Sequence, residues 1–220
     1  MIRLWVRKNS INVQKVLWCL AELDLVEGSD FERVDAGLQF GKNNTSEYLK
    51  LNPNGFVPVL EDGEIILWES NTIMRYLIRQ HDQARRFSTN PAIQYRSEAW
   101  LDWQLGTMWP PLRSVFLGFT RTPENERNYV AMKQAYQDTN HRMAILDQVL
   151  ANQAYCAGNA FHLGDIALAL CVQRWILLNQ AFPEKTGART HLINLENWLQ
   201  RIQAETKFNM VADKAIPINN

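Results

Sequence analysis

A proline placed inside a predicted strand constrains this chain more than any other feature. Asn52-Pro53-Asn54-Gly55-Phe56 reads as a turn, and it feeds Val57-Pro58-Val59-Leu60, a strand with Pro58 near its start. Proline cannot donate to a sheet ladder and is normally expelled from strand interiors. One way to keep it is a cis Val57–Pro58 bond at the strand's start, which would turn the preceding backbone outward. Val57 then offers its N–H and C=O to an extended peptide, as an exposed sheet edge does. Eleven residues after Pro58, Glu69-Ser70 follows a second short apolar run, Ile65–Trp68, and falls where a helix begins. Helix N-termini bind carboxylates through free N–H groups, and Ser70 adds a hydroxyl. A backbone grip beside a carboxylate site and an acidic group suits a small peptide with a free amino-acid end. An ordinary turn followed by an ordinary helix cap is the competing reading.

The rest of the chain divides into a mixed α/β part and an all-α part. Residues 2–6 read as a short strand. Val13, Val16, Leu17, Leu20 and Leu23 then recur at the i, i+3, i+4 spacing of a helix packed on a sheet. Phe31–Asp35 alternates as a half-buried strand. A polar loop follows, with Gly37, Gly41, Lys42, Asn43 and Asn44 and little periodicity. The runs at 57–60 and 65–68 are joined by the Glu61-Asp62-Gly63 turn, which makes them antiparallel neighbours. Residues 71–79 read as a helix. A charged and polar stretch at 81–91 suits a linker. Beyond it, Ala92–Phe119 is helical but broken by Pro110-Pro111, and Glu124–Leu150 is a long amphipathic segment. Ile166–Asn179 is apolar nearly all round, the mark of a central buried helix, and Leu192–Ala204 is amphipathic again.

Composition narrows the function classes without naming one. Lys+Arg and Asp+Glu are equal at 23 each, so no global basic charge points to nucleic acid or an anionic membrane. The apolar start at Met1–Val6 is too short for a signal-peptide core, and no later run is long enough to span a membrane. Cys19, Cys156 and Cys171 are an odd, widely spaced set, which predicts reduced thiols in the cytoplasm. The histidines at 81, 141, 162 and 191 form no zinc pattern, so no metal site is expected.

Val57-Pro58-Val59-Leu60, the spacing to Glu69-Ser70 and the trailing Ile73-Met74-Arg75-Tyr76-Leu77 resemble the glutathione-binding domain of the cytosolic glutathione transferases. The resemblance covers nearly the whole chain. It implies a thioredoxin-like α/β domain at 1–80, a linker at 81–91 and an all-helical domain at 92–220 contributing the electrophile pocket. It also implies glutathione as cosubstrate, a small electrophile as second substrate, and a two-fold homodimer.

Members of that family differ in the residue that activates the bound thiol, which lies between the first strand and first helix. Here the loop is Arg7-Lys8-Asn9-Ser10-Ile11-Asn12-Val13, without tyrosine or cysteine. Its S-x-N-V pattern is similar to the serine-type phi and theta classes, which makes Ser10 the candidate. A free thiol has a pKa of about 8.5, so a hydroxyl donor beside the sulfur at a helix start favours the thiolate. Asn12 is a candidate for a second hydrogen bond, or for holding the loop. A helix cap near Val13 is the competing role for both. By the same resemblance Glu69 pairs with the γ-glutamyl amine, and Ser70 with its N–H binds the α-carboxylate. Lys42 is the candidate for the glycyl carboxylate, with Asn43 and Asn44 as alternatives. Trp109, Leu112, Arg113, Phe116 and Phe119 are the expected lining of the electrophile pocket, between the domains, with core packing as the competing role for the aromatics.

Two departures stand out. Phe56 occupies a place where the family often has a polar Gln or Lys before the V-P pair, which should weaken the grip on the glycyl end. His162 replaces the Ser/Thr three residues before Asp165 that caps the buried helix of the second domain. Asp165 can still accept backbone N–H bonds, a folding role, and His162 is expected to be structural rather than a catalytic base. Conjugation is the expected activity. Glutathione-dependent reduction of disulfides or peroxides, dehalogenation, or a non-catalytic binding role on the same fold are the alternatives.

Overall fold

The computed structural model describes residues 1–216. The chain forms two compact units: Met1–Phe87 with Lys207–Val211, and Ser88–Thr206 with the chain from Ala212 on.

In the first unit, the described residues build one sheet with the strand order β2-β1-β3-β4, where β1 is Ile2–Val6, β2 Phe31–Asp35, β3 Val59–Asp62 and β4 Ile65–Trp68. β1 and β2 run parallel in the register Ile2↔Phe31 to Val6↔Asp35. A parallel pair needs a crossover, and α1 (Ile11–Glu22) supplies it, burying Val13, Val16 and Leu20 as the spacing predicts. The helix begins at Ile11, earlier than the apolar stripe marks. β3 is antiparallel to β1 (Leu4↔Leu60) and β4 antiparallel to β3 (Val59↔Trp68). α3 (Ser70–His81) then buries Ile73, Met74 and Leu77. The thioredoxin-like arrangement expected from the sequence is present.

The stretch after β2 differs from the expected loop. It holds a 3₁₀ turn at Leu38–Phe40 and a short helix, α2 (Ser46–Leu51), whose N-terminus is capped where Tyr48 N–H donates to Thr45 Oγ1 at 3.3 Å. Six residues are too few for periodicity to register, and a helix this short is held by tertiary contacts. Here the contact is Tyr48, which is fully buried and meets the Trp5 ring edge-on at 5.3 Å.

The segment Lys207–Val211 also differs from its sequence position, which groups it with the helices. Its Lys207 N–H donates to Glu22 Oε1 at 2.6 Å, and the Phe208 ring packs on Trp18 with centroids 5.0 Å apart. Glu22 is buried at the end of α1 and accepts further bonds from Trp18 Nε1 and Arg86 Nε, both at 2.8 Å. A carboxylate taken out of water is tolerated only with such partners.

The second unit is all helical in its described residues. α4 (Pro91–Trp103) opens on Asn90, whose Oδ1 accepts Ala92 N–H at 2.9 Å. The expected break at Pro110-Pro111 takes a specific form: a π turn at Gln104–Met108, then α5 (Trp109–Thr120) with both prolines in its first turn. Prolines cannot donate to the turn before them, so the ladder widens just ahead of them and restarts where their missing N–H groups are not needed. α6 (Tyr129–Leu150) starts after a separate 3₁₀ turn at Glu124–Glu126. α7 (Leu163–Ala181) is buried on nearly every face, and α8 (Pro183–Thr186) and α9 (Ile193–Glu205) follow it.

The start of α7 shows what replaces the family's Ser/Thr. Asp165 Oδ2 accepts His162 N–H at 3.0 Å, while its Oδ1 accepts Cys156 N–H at 2.9 Å and Trp198 Nε1–H at 3.0 Å. The hydroxyl comes from α4: Gly164 N–H donates to Ser97 Oγ at 2.8 Å. His162 Nδ1 lies 2.9 Å from the same oxygen, and its Nε2 lies 3.3 Å from the Ser88 carbonyl. The His162 side chain also accepts Asp165 N–H, so His162 and Asp165 close a capping box at the start of α7, beside the Ser97 hydroxyl that takes Gly164 N–H. Gly164 permits the approach, since a Cβ there would meet Cys156 Sγ at 2.8 Å and the Ser97 carbonyl at 3.1 Å. His162 is buried and structural, in line with its expected role. Ser97→Ala leaves a buried N–H and an imidazole nitrogen without this partner, and should cost about 1–3 kcal/mol. The check is a lowered urea midpoint at an unchanged denaturant slope.

Candidate functional site

Strand register places the candidate residues of the first unit along one edge of the sheet. β1 and β2 end there, β3 begins there, and β4 ends there, because Val59 stands opposite both Trp5 and Trp68. The β1–α1 loop with Ser10, the turn before β3 with Val57, the start of α3 with Glu69 and Ser70, and the loop after β2 with Lys42 therefore share this edge. Ligands of open α/β sheets bind outside the carboxyl ends of the parallel strands, and β1 and β2 have theirs here.

Ser10 is the N-cap residue of α1 by backbone: its C=O accepts Gln14 N–H at 2.9 Å. Its side chain makes no capping bond, so the half-buried hydroxyl at a helix start is not consumed by the helix. Asn12 is half-buried in the first turn of the same helix. Arg7 Nε donates to Asn9 Oδ1 at 2.8 Å and Ser10 N–H to the Arg7 carbonyl at 2.9 Å, which closes the loop into a tight turn.

The Val57–Pro58 bond is cis. Val57 is buried, yet among the described residues neither its N–H nor its C=O takes a partner. An N–H and a C=O left open on one residue can pair with the backbone of an extended peptide. The turn ahead of Val57 is well tied. Asn43 Nδ2 donates to the Gly55 carbonyl at 2.7 Å, and Asn52 Oδ1 accepts Asn54 N–H at 3.0 Å. Gly55 has φ +65°, and a Cβ there would stand 2.9 Å from the Asn43 carbonyl. Asn43, one of the alternatives for the glycyl carboxylate, thus has a structural bond. Phe56, the family departure, turns its ring to solvent at 72 % exposure.

Glu69 sits at the N-cap of α3 with φ +69° and ψ 111°, a costly backbone for a non-glycine residue, and makes no side-chain capping bond. Such conformations persist where the surroundings enforce them and cluster at functional sites. The exposed Glu69 carboxylate and the first N–H groups of α3 are left open, with Ser70 buried beside them. Next to Ser70, Asn71 Oδ1 accepts from Lys15 Nζ at 3.2 Å, so a fully buried ammonium supports the start of α3. Lys42 is exposed, with φ +69°, and forms no ion pair among the described residues.

The candidates on α5 lie in the helical unit. Trp109 is half-buried and Arg113 exposed. Phe116 is buried under the Arg174 guanidinium, 4.2 Å from its ring centroid, and Arg174 is ion-paired to Asp213 at 2.7 Å. Phe119 stacks on Phe182 at 3.8 Å, and Leu112 is buried. Packing within its own unit thus already engages the Phe116 ring. Cys19, Cys156 and Cys171 are all free and buried, and burial pushes the Cys19 and Cys156 thiols up, away from ionisation. Among the described residues no group of three His, Cys, Asp or Glu could hold a metal ion, and no helix is long and apolar enough to cross a membrane.

The first unit thus combines a thioredoxin-like sheet order, an open Val57 backbone beside a cis proline and an uncapped start of α3, and it is joined in sequence to a helical unit. Residues 1–79 match the family model for the glutathione S-transferase N-terminal domain. Over 204 residues the chain is 37 % identical to glutathione S-transferase GstB of Escherichia coli K12, covering 92 % of this chain and 93 % of that one. The chain belongs to the glutathione S-transferase family. Its structure is similar to a theta class glutathione S-transferase from Xanthomonas axonopodis pv. citri with glutathione bound, at TM-score 0.85 and 35 % identity, covering 98 % of this chain and 99 % of that one. It shares its fold with glutathione transferase F7 of Populus trichocarpa, at TM-score 0.78 and 19 % identity, over 96 % and 97 % of the two chains.

Proposed function

We propose that this protein binds glutathione along the sheet edge, holds its thiol as the thiolate, and transfers it to a small hydrophobic electrophile. The open N–H and C=O of the buried Val57 carry this reading, since they match the backbone of one extended peptide residue. Glutathione laid there has its cysteinyl backbone on Val57. Its γ-glutamyl amine meets Glu69, its α-carboxylate meets Ser70 and the N–H groups of α3, and its glycyl carboxylate meets Lys42. Ser10 O–H donates to the sulfur, with Asn12 as the second donor, and the thiol proton leaves to water. The thiolate then forms a carbon–sulfur bond to the electrophile as the leaving group departs with the bonding pair. No covalent enzyme intermediate is needed, because the nucleophile belongs to the cosubstrate, and catalysis comes from ionisation and positioning. The buried cysteines fit that division of labour.

Trp109, Arg113 and Phe116 are the proposed electrophile contacts from the helical unit, Arg113 as a cation that favours the thiolate. Of the three, Trp109 and Arg113 keep exposed surface. A cytoplasmic homodimer is the expected form of the protein.

The test is the ultraviolet thiolate absorbance of bound glutathione against pH. A bound pKa about two units below the free value of ~8.5 raises the thiolate at pH 7 from about 3 % to about 75 %. A binding signal with an unshifted pKa overturns the activation step, and no binding at all overturns the reading as a whole.

A further inference from the structure

The turn that presents Val57 is held by two side chains, Tyr48 and Asn52. Tyr48 O–H donates to the Phe56 carbonyl at 2.7 Å, and Asn52 Nδ2 donates to the same oxygen at 2.9 Å. A carbonyl oxygen has two lone pairs, so these bonds saturate it. Both donors are themselves fixed. Tyr48 is buried on α2 against Trp5 of β1, and Asn52 is buried with its own carbonyl bonded to Asn54 N–H.

The Phe56 carbonyl shares a peptide plane with Val57 N–H. That peptide is trans, the cis bond being the next one, Val57–Pro58. In a planar trans peptide the N–H points opposite the C=O. Pinning the oxygen toward Tyr48 and Asn52 therefore aims Val57 N–H the other way, where it has no partner among the described residues. Asn43 fixes the preceding plane in the same manner through the Gly55 carbonyl.

We infer that Tyr48 and Asn52 are positioning residues for the cosubstrate: by holding the Phe56–Val57 peptide plane they pre-aim Val57 N–H at the cysteinyl carbonyl of the bound peptide. This rests on the proposed glutathione reading. Without the two bonds the plane is free to rotate, and binding must bear the cost of ordering it. Neither residue is placed to touch the sulfur, so thiol ionisation stays with the Ser10 loop.

The experiment compares glutathione with its analogue carrying a thioamide at the cysteinyl–glycyl bond, a weaker acceptor at that one atom. Calorimetric affinities are measured for wild type, Tyr48→Phe and Asn52→Ala, with thermal melts to confirm folding. Tyr48→Phe keeps the ring on Trp5 and removes only the donor. Wild type is expected to prefer glutathione over the thioamide by about tenfold, the worth of one hydrogen bond. Tyr48→Phe should bind glutathione about tenfold more weakly, lose most of that preference, and leave the bound thiol's pKa unchanged. A merely structural role weakens both ligands equally and keeps the preference, which overturns the inference. A wild type that binds glutathione without discriminating overturns it too, while the glutathione reading stands. A wild type that binds neither ligand overturns the glutathione reading itself.

Discussion

Ser10→Ala is expected to return the pKa of bound glutathione from about 6.5 toward the free value of ~8.5. The Ser10 hydroxyl is unspent by α1 and stands at a helix start, so it has a donor to give and a favourable local dipole. Two units of pKa correspond to about 2.7 kcal/mol of differential stabilisation of the thiolate, in the range for a hydrogen bond to a charged group plus a contribution from the helix end. At pH 7 the ionised fraction falls about 25-fold. A more basic thiolate is also a better nucleophile, and a Brønsted slope of about 0.4–0.5 returns nearly a factor of ten. The net loss in kcat/KM at pH 7 from ionisation is thus only about threefold, and a larger deficit measures lost orientation of the sulfur. The shape of the pH profile separates the two. Wild type should rise through about 6.5 and the variant through about 8.5, with an orientation deficit persisting above pH 9. A profile that does not move acquits Ser10 and shifts the role to Asn12, Arg113 or the start of α1.

Asp165→Ala should be the most damaging single substitution in the helical unit. It strips partners from Cys156 N–H, His162 N–H and Trp198 Nε1 at once, all in a fully buried setting. An unsatisfied buried group costs about 1–3 kcal/mol, so a loss of about 4 kcal/mol or more is expected. Chemical denaturation of wild type and variant measures it. The same carboxylate makes stability depend on pH. Burial, partly opposed by the three N–H donors, pushes its pKa from 3.8 up to about 6. The folded state therefore holds a proton that the unfolded state has released between those values. Asp165's contribution is fully present below pH 3.8 and is lost as pH rises through about 6, a change of about 3 kcal/mol. The stability gap between wild type and Asp165→Asn should shrink by about 2.3 kcal/mol of that span from pH 4 to pH 6.5. A constant gap would mean the three donors balance burial, and a gap that widens with pH would mean they outweigh it.

The parts of the fold written in local pattern were legible. The strand alternation at 31–35, the apolar stripe of α1 and the apolar run of α7 each carry their own periodicity, and the V-P and E-S pairs sit at fixed spacing. What escaped the sequence depends on partners distant along the chain. α2 is too short to show a period and is held by the burial of Tyr48 against Trp5. Ser97 looks like any helical serine until His162 and Gly164, more than sixty residues on, turn out to share its hydroxyl. Asn52 was visible as part of a turn, but its second bond, to the Phe56 carbonyl, could only be seen in three dimensions. The π turn at 104–108 was foreshadowed by Pro110-Pro111 as a break without its form. In the candidate site the sequence supplied the residue types, and the register of β1, β3 and β4 supplied their common edge.

The return of Lys207–Val211 to the first unit has a consequence for synthesis. A nascent chain that has reached residue 87 carries the whole sheet but not the backbone N–H that meets Glu22, nor the ring that covers Trp18. Those arrive only after the helices α4 to α9 have been made. The part of the protein translated first thus waits for residues made near the end of synthesis, and a fragment cut after Phe87 lacks the groups that cover the Trp18 indole and bond the Glu22 carboxylate.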